Sequence, residues 1–203
     1  VSNATISGLD LSWAGATPTG TGILLGGSNN IIENITATNR SSGLLLAGGS
    51  NGNTIQASNF SGAAKYAIGP ESTHAGQGNK YFGNNLSGAG VWSLSIIGDR
   101  EFEVSGNDMT DSANGVSLYS IDGNLLTSGQ LTVSPATGPG QLDIDVSSVP
   151  GLGLRLGVSN ATISGLDLSW AGATPTGTGI LLGGSNNIIE NITATNRSSG
   201  LLL

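Results

Sequence analysis

Apolar residues along this chain recur two and five positions apart, separated by Gly, Asn, Ser and Thr. Aligned on that pattern, the segments starting at Ala4, Asn30, Asn53, Asn79, Phe102 and Asn124 read ATISGLDLS, NIIENITAT, NTIQASNFS, NKYFGNNLS, FEVSGNDMT and NLLTSGQLT. The third place holds Ile6, Ile32, Ile55, Tyr81, Val104 and Leu126, and the eighth holds Leu11, Ala37, Phe60, Leu86, Met109 and Leu131. Both columns are apolar and therefore predicted to face a core. Between them lie Gly8, Asn34, Gly83, Gly106 and Asn107, residue types that accept left-handed backbone, so the chain is predicted to bend there. Short apolar strands are predicted upstream of the segments, at residues 22–25, 43–46, 91–94, 115–118 and 153–156. No 3.6-residue period is sustained, which excludes a helical reading.

Successive segments are offset by 26, 23, 26, 23 and 22 residues, and 37 more lead from Asn124 to Ala161. Residues 158–203 repeat residues 1–46 letter for letter, so the period is 157 residues. A rung of 22–26 residues cannot bury its apolar face alone and must stack on its neighbours. The prediction is an all-β solenoid of stacked parallel strands, six to seven coils per unit and about 30 to 34 Å long at the usual strand spacing. Residues 1–157 form one complete unit, and 158–203 begin the next, continuous with the same solenoid. In that arrangement residues 153–156 stack against the counterpart of 22–25, and Leu126 lies one coil before Ile163. A Pro-rich insert at about 133–151 carries Pro135, Pro139 and Pro150, which cannot donate to a central ladder. It is read as either a protruding loop or an irregular rung, with Leu142, Ile144 and Val146 alternating with Asp143 and Asp145. The chain starts at Val1 and its single methionine is Met109, so it is read as a fragment or processed product of a longer array.

These N-x-I-x-x-N-x-I/F-S coils resemble the right-handed parallel β-helix proteins of the pectate-lyase-like type, and among them the secreted tandem-repeat surface fibres and adhesins. The resemblance covers nearly the whole chain apart from the Pro-rich insert. It implies a right-handed coil and an extracellular or cell-surface location. The same coil serves polysaccharide lyases and hydrolases, sugar epimerases, phage tailspikes and surface fibres, so the resemblance alone does not choose among them.

Composition narrows the choice. Charged residues make up 9% of the chain, the net charge is −7, and the six Lys and Arg are scattered, which leaves no basic stripe for nucleic acid. No apolar run approaches the roughly 18 residues of a membrane-spanning helix. With no cysteine there is neither a disulfide framework nor a thiolate metal site. The densest chemistry is the stretch with Asp99, Arg100, Glu101, Glu103, Asp108 and Asp111, where an enzyme of this fold would place its acid, base or calcium site. Those charges read better as a solvated edge, with Asp108 and Asp111 flanking a bend, and His74 stands by itself in a polar loop. No calcium-loop spacing surrounds Asp143 and Asp145 or Asp108 and Asp111, and GGSNN and AGGSNGN lack the Lys-Ser/Thr of a phosphate loop. Accordingly no catalytic residue, no metal ligand and no cofactor is assigned, structural calcium being the one alternative kept.

The last place of the segments is hydroxylic throughout: Ser12, Thr38, Ser61, Ser87, Thr110 and Thr132. Alternation sends this column outward when the eighth place points in, giving a surface ladder. Two places earlier run Asp10, Thr36, Asn59, Asn85, Asp108 and Gln130. Such a face serves ladder hydrogen bonding, lateral packing of filaments, or binding to glycans or another ordered surface. Asn3, Asn34, Asn39, Asn59 and Asn85 head N-x-S/T triplets that a secreted protein offers for glycosylation, with Asn39 the best placed. The expectation is a non-enzymatic extracellular filament, sheath or adhesin stalk whose partners are identical units stacked end to end, with lateral self-association, glycans or the cell surface as further partners. The alternatives are a polysaccharide lyase or hydrolase and a carbohydrate- or surface-binding module.

Overall fold

A computed structural model describes residues 1–71, 76–99, 102–119, 132–133, 141–142, 144–157, 159 and 161–203. The chain winds as an all-β solenoid of about seven turns, with parallel strands and no helix among the described residues. The first three coils supply β1 (Thr5–Ser7), β2 (Thr21–Leu25), β3 (Ile31–Glu33), β4 (Ser42–Leu46), β5 (Thr54–Gln56) and β6 (Tyr66–Pro70). The next two supply β7 (Lys80–Phe82), β8 (Trp92–Ile97), β9 (Glu103–Ser105) and β10 (Val116–Tyr119). An irregular sixth coil holds β11 (Thr132–Val133), β12 (Gln141–Leu142) and β13 (Leu152–Gly157). The repeated sequence then gives β14 (Thr162–Ser164), β15 (Thr178–Gly183), β16 (Ile188–Glu190) and β17 (Ser199–Leu202).

Three ladders run along the axis. One sheet is β1-β3-β5-β7-β9-β12, in which the third-place column pairs in register: Ile6 with Ile32, Ile55, Tyr81 and Val104 in turn. The second, of eight strands, is β17-β15-β13-β10-β8-β6-β4-β2. The third, of three strands, is β11-β14-β16, and apart from these sheets runs a column of single bridges, Asp10 to Thr36, Asn59, Asn85 and Asp108. Ile32, Ile55, Tyr81 and Val104 from the first face meet Ala37, Phe60, Leu86 and Met109 from the bridged column and Leu44, Ile68, Leu94 and Val116 from the second sheet, all buried in one core. Each coil is too thin to bury these side chains alone, so stability comes from stacking.

The strand β6 adds to those predicted from apolar runs. Its sequence ends in Gly69-Pro70, which reads as a break, yet Pro70 occupies the last position of the strand, and Ile68 pairs with both Leu44 and Leu94.

The register in the sixth coil differs from the expected one. Leu142, not Leu126, pairs with Val104, and Val133 is the residue beside Ile163. Thr132 pairs with Thr162 in the strand β14, so it does not belong to the hydroxyl column. Gln141-Leu-Asp-Ile-Asp-Val-Ser147 carries the same pattern as NLLTSGQLT, with a bend one residue shorter, and it is this stretch that enters the coil. The amide N–H of Ser147 donates to Asp145 at 2.9 Å, as Ser12 does to Asp10. Val146 and Val149 are fully buried, so this half of the Pro-rich insert is an irregular rung rather than a protruding loop. Leu126, Gln130, Leu131, Pro135, Pro139 and Asp143 lie outside the described residues.

β13 pairs in parallel with β15, Leu154 beside Ile180 and Leu156 beside Leu182. β15 is the copy of β2 one period later, and six strand steps along the second sheet separate the two. At the usual strand spacing that is about 29 Å.

Candidate functional site

The lateral face built on the bridged column is the most regular polar surface. Its residues are fixed by a device that recurs from coil to coil, in which an Asp or Asn side chain accepts the amide N–H two positions on. The bonds are Ser12 to Asp10 at 2.9 Å, Ser61 to Asn59 at 3.1 Å, Ser87 to Asn85 at 3.0 Å, Thr110 to Asp108 at 2.9 Å and Ser169 to Asp167 at 3.0 Å. These Asx turns explain why the D/N-x-S/T triplet recurs. The bond to Ser12 holds the exposed Asp10 carboxyl below the usual carboxylate range, and Ser147 does the same for Asp145.

The hydroxyl column is placed along this face. Ser12, Thr38, Ser61 and Ser87 are half-buried and Thr110 is exposed. The Thr38 hydroxyl lies 2.9 Å from that of Ser12, and the Thr195 and Ser169 pair repeats the distance in the second copy. The Ser87 hydroxyl donates to Asn85 at 2.6 Å. Much of the ladder's hydrogen-bonding capacity is thus used within the coil stack. Beside it runs a widely open groove of about 560 Å³, lined by Asn34, Thr36, Ala57, Asn59, Gly83 and Asn85 among others.

The triplet asparagines fall in distinct environments. Asn39 donates its side-chain amide to the carbonyls of Trp13 at 3.0 Å and Gly15 at 2.9 Å, so the nitrogen a glycan would modify is spent joining two coils. Asn59 and Asn85 are half-buried in Asx turns, Asn3 accepts from Asn29 at 3.4 Å, and Asn34 is exposed in a left-handed bend.

The acidic stretch is dispersed. Asp99 is buried at the end of the asparagine ladder, accepting from Asn79 Nδ2 at 2.8 Å. Tyr81, fully buried, hydrogen-bonds to Asp99, and burial together with that carboxylate pushes its phenol well above the usual range. Glu103 pairs with Lys80 at 3.0 Å, while Asp108 is exposed in the bridged column and Asp111 is exposed in a left-handed turn. Arg100, Glu101 and His74 lie outside the described residues. Among the described residues no three His, Asp or Glu side chains gather as a metal site.

Two features fall outside the apolar and hydroxyl columns. Inside the stack Asn30, Asn53 and Asn79 form a fully buried ladder. Arg197, 8% exposed, reaches back to the carbonyls of the sixth coil. The ladder's spacing of one coil is visible as the first place of the aligned segments; the arginine's acceptors are backbone atoms and leave no trace in side-chain chemistry.

Comparison with protein-family models, with curated proteins and with solved structures finds no match to this chain. The class defined by the fold is a parallel β-solenoid.

Proposed function

We propose that the chain is a structural element, part of an extracellular filament, sheath or adhesin stalk built from identical 157-residue solenoid units. The observation that carries this reading is the in-register pairing of β13 with β15, which joins the end of one unit to the start of its copy at ordinary strand spacing. A continuous stack leaves open strand edges only at its two ends, and each added unit covers one of them. The dispersal of Asp99, Glu103 and Asp108 over the interior and two different faces supports the structural reading over polysaccharide cleavage. No catalytic residue and no cofactor is proposed.

The test is a series of arrays lengthened by one unit at a time. Small-angle scattering is expected to show a rod that grows by about 29 Å per unit, with thermal stability rising over the first additions. Units that tumble independently, with a melting temperature indifferent to their number, would remove the proposal.

A second reading rests on the hydroxyl column and the open polar groove beside it, a regular face on which a neighbouring filament or an extended glycan would lie. Changing Thr38, Ser61 and Ser87 to Lys is expected to abolish lateral bundling or glycan binding while the solenoid stays folded. Undiminished association would discard the hydroxyl column as the contact face.

A further inference from the structure

Arg197 and Arg40 are the same residue of the repeat, one period apart, with identical neighbours in sequence. Arg40 donates Nε to the Leu11 carbonyl at 2.5 Å and is half-buried. Arg197 makes the equivalent bond to Leu168 at 2.7 Å, and three more. Nη1 donates to Val149 at 2.7 Å and Gly151 at 3.3 Å, and Nη2 donates to Val146 at 2.9 Å. These acceptors lie 46 to 51 residues earlier, in the coil that closes the first unit. The guanidinium carbon also sits over Trp170, 5.9 Å from the ring centre.

The backbone explains why the acceptors are available. Residues 144–151 contain no strand, and Val149 turns back on Val146 through a 3.0 Å amide bond. The carbonyls of Ser147 and Gly151 still accept amide bonds from the next coil, from Ala171 at 2.9 Å and Thr178 at 3.2 Å, while those of Val146 and Val149, off any strand, face Arg197 together with Gly151. A planar guanidinium with five donors matches such a cluster, and an ammonium does not. The same coil accepts a second feature of the repeat: Gly177, at φ +63°, comes so close to Gly151 that a Cβ there would overlap the Gly151 carbonyl oxygen. Its counterpart Gly20 meets only Arg40 Nη1, at 3.7 Å.

We propose that residues 144–151 are the receiving half of a unit-to-unit joint, and that the partner they fit is the opening pair of coils of an identical following unit, the second gripped through its arginine and the first set in its approach by the glycine at position 177. The second half of the Pro-rich insert then ends each unit in a carbonyl socket that only the repeat's own arginine fills. The inference rests on the reading of the chain as a tandem structural array, but its test reads the joint itself and needs no filament.

The test compares hydrogen exchange, strand by strand, in the whole 203-residue chain and in its Arg197→Ala, Arg197→Lys, Gly177→Ala and Arg40→Ala variants. Arg197→Ala is expected to speed exchange in β14 to β17 about tenfold or more, the signature of local opening, while β2 to β8 stay protected. Arg197→Lys and Gly177→Ala are expected to give the same localised loss to a smaller degree, and Arg40→Ala to leave β14 to β17 unchanged. Equal effects of the two arginine-to-alanine variants on β14 to β17, no effect of Arg197→Ala, or a loss spread evenly over all strands would overturn the joint. Failure of arrays to form rods, with the localised loss intact, would refute the filament and leave the joint standing.

Discussion

Asn53 Oδ1 accepts two hydrogen bonds from Asn30, 2.9 Å from its backbone N–H and 3.0 Å from its side-chain amide. One coil on, Asn79 Oδ1 accepts the same pair from Asn53, at 2.9 and 3.1 Å, and all three residues are wholly buried. Asn53 and Asn79 also donate to backbone carbonyls, Asn53 to Gly27 at 3.1 Å and Asn79 to Ser50 at 2.8 Å. The bend between the second sheet and the first is therefore held by side chains that replace the ladder bonds the turning backbone cannot make.

Removing the middle member breaks bonds on both sides. Asn53→Ala is expected to destabilise the chain by about 2 to 5 kcal/mol, because both Asn30 donors lose the Asn53 oxygen they share, Asn79 Oδ1 loses one of its two donors and the Gly27 carbonyl loses its own. Urea unfolding monitored by circular dichroism measures it; a loss within about 0.5 kcal/mol, typical of a surface change, would contradict the ladder's role.

Packing at the inward corner is equally strict. A Cβ on Gly43 would lie 2.6 Å from both the Phe60 Cβ and the Ala67 carbonyl oxygen. Gly43→Val is expected to cost about 3 kcal/mol through overpacking, whereas Gly26→Ala, whose new Cβ would meet only Ala47 at 3.8 Å, is expected to be neutral or slightly stabilising. Thermal melts of the two variants compare them directly, and similar melting temperatures would contradict the packing described.

Much of this is legible in the sequence because the inward columns keep one chemical kind from coil to coil: the third-place residues from Ile6 to Val104 pair as aligned. The alignment breaks down where two stretches carry the same pattern. NLLTSGQLT and QLDIDVSS both offer apolar residues at suitable spacing, and only the second brings an Asp145-x-Ser147 turn of the kind seen at Asp10 and Ser12. Choosing the first stretch is what puts Thr132 in the hydroxyl column, where the structure does not. Arg197 is illegible for a different reason, since its acceptors are carbonyls that any sequence supplies and only an irregular backbone gathers.

Acid sensitivity follows from the Asx turns. Asp145 is held below its unfolded value of about 3.9 by Ser147, so the stability it contributes is present above that value and is lost as pH falls through the folded pKa. Asp145→Asn keeps the accepting oxygen, as Asn59 and Asn85 do, and removes the titration. The variant is expected to match the parent near pH 7 and to lose less stability below about pH 4. Unfolding curves across that range decide it, and an unchanged acid limb would contradict the assignment.

At the alkaline end the sign reverses. Tyr81 is raised by burial and by Asp99, so its contribution is full below the unfolded value of about 10 and disappears as pH rises through the folded one. Ultraviolet titration is expected to show one phenol that ionises only as the chain unfolds. Tyr81→Phe is expected to abolish that late phase; its persistence in the variant would place the resistant phenol elsewhere.

In the proposed array successive units continue one solenoid. Electron microscopy of the protein from its native source measures this through the axial repeat. Filaments with a period of about 29 Å, six strand steps, over a strand spacing near 4.8 Å are expected; discrete particles, or filaments whose period is unrelated to six strand steps, would contradict a continuous array.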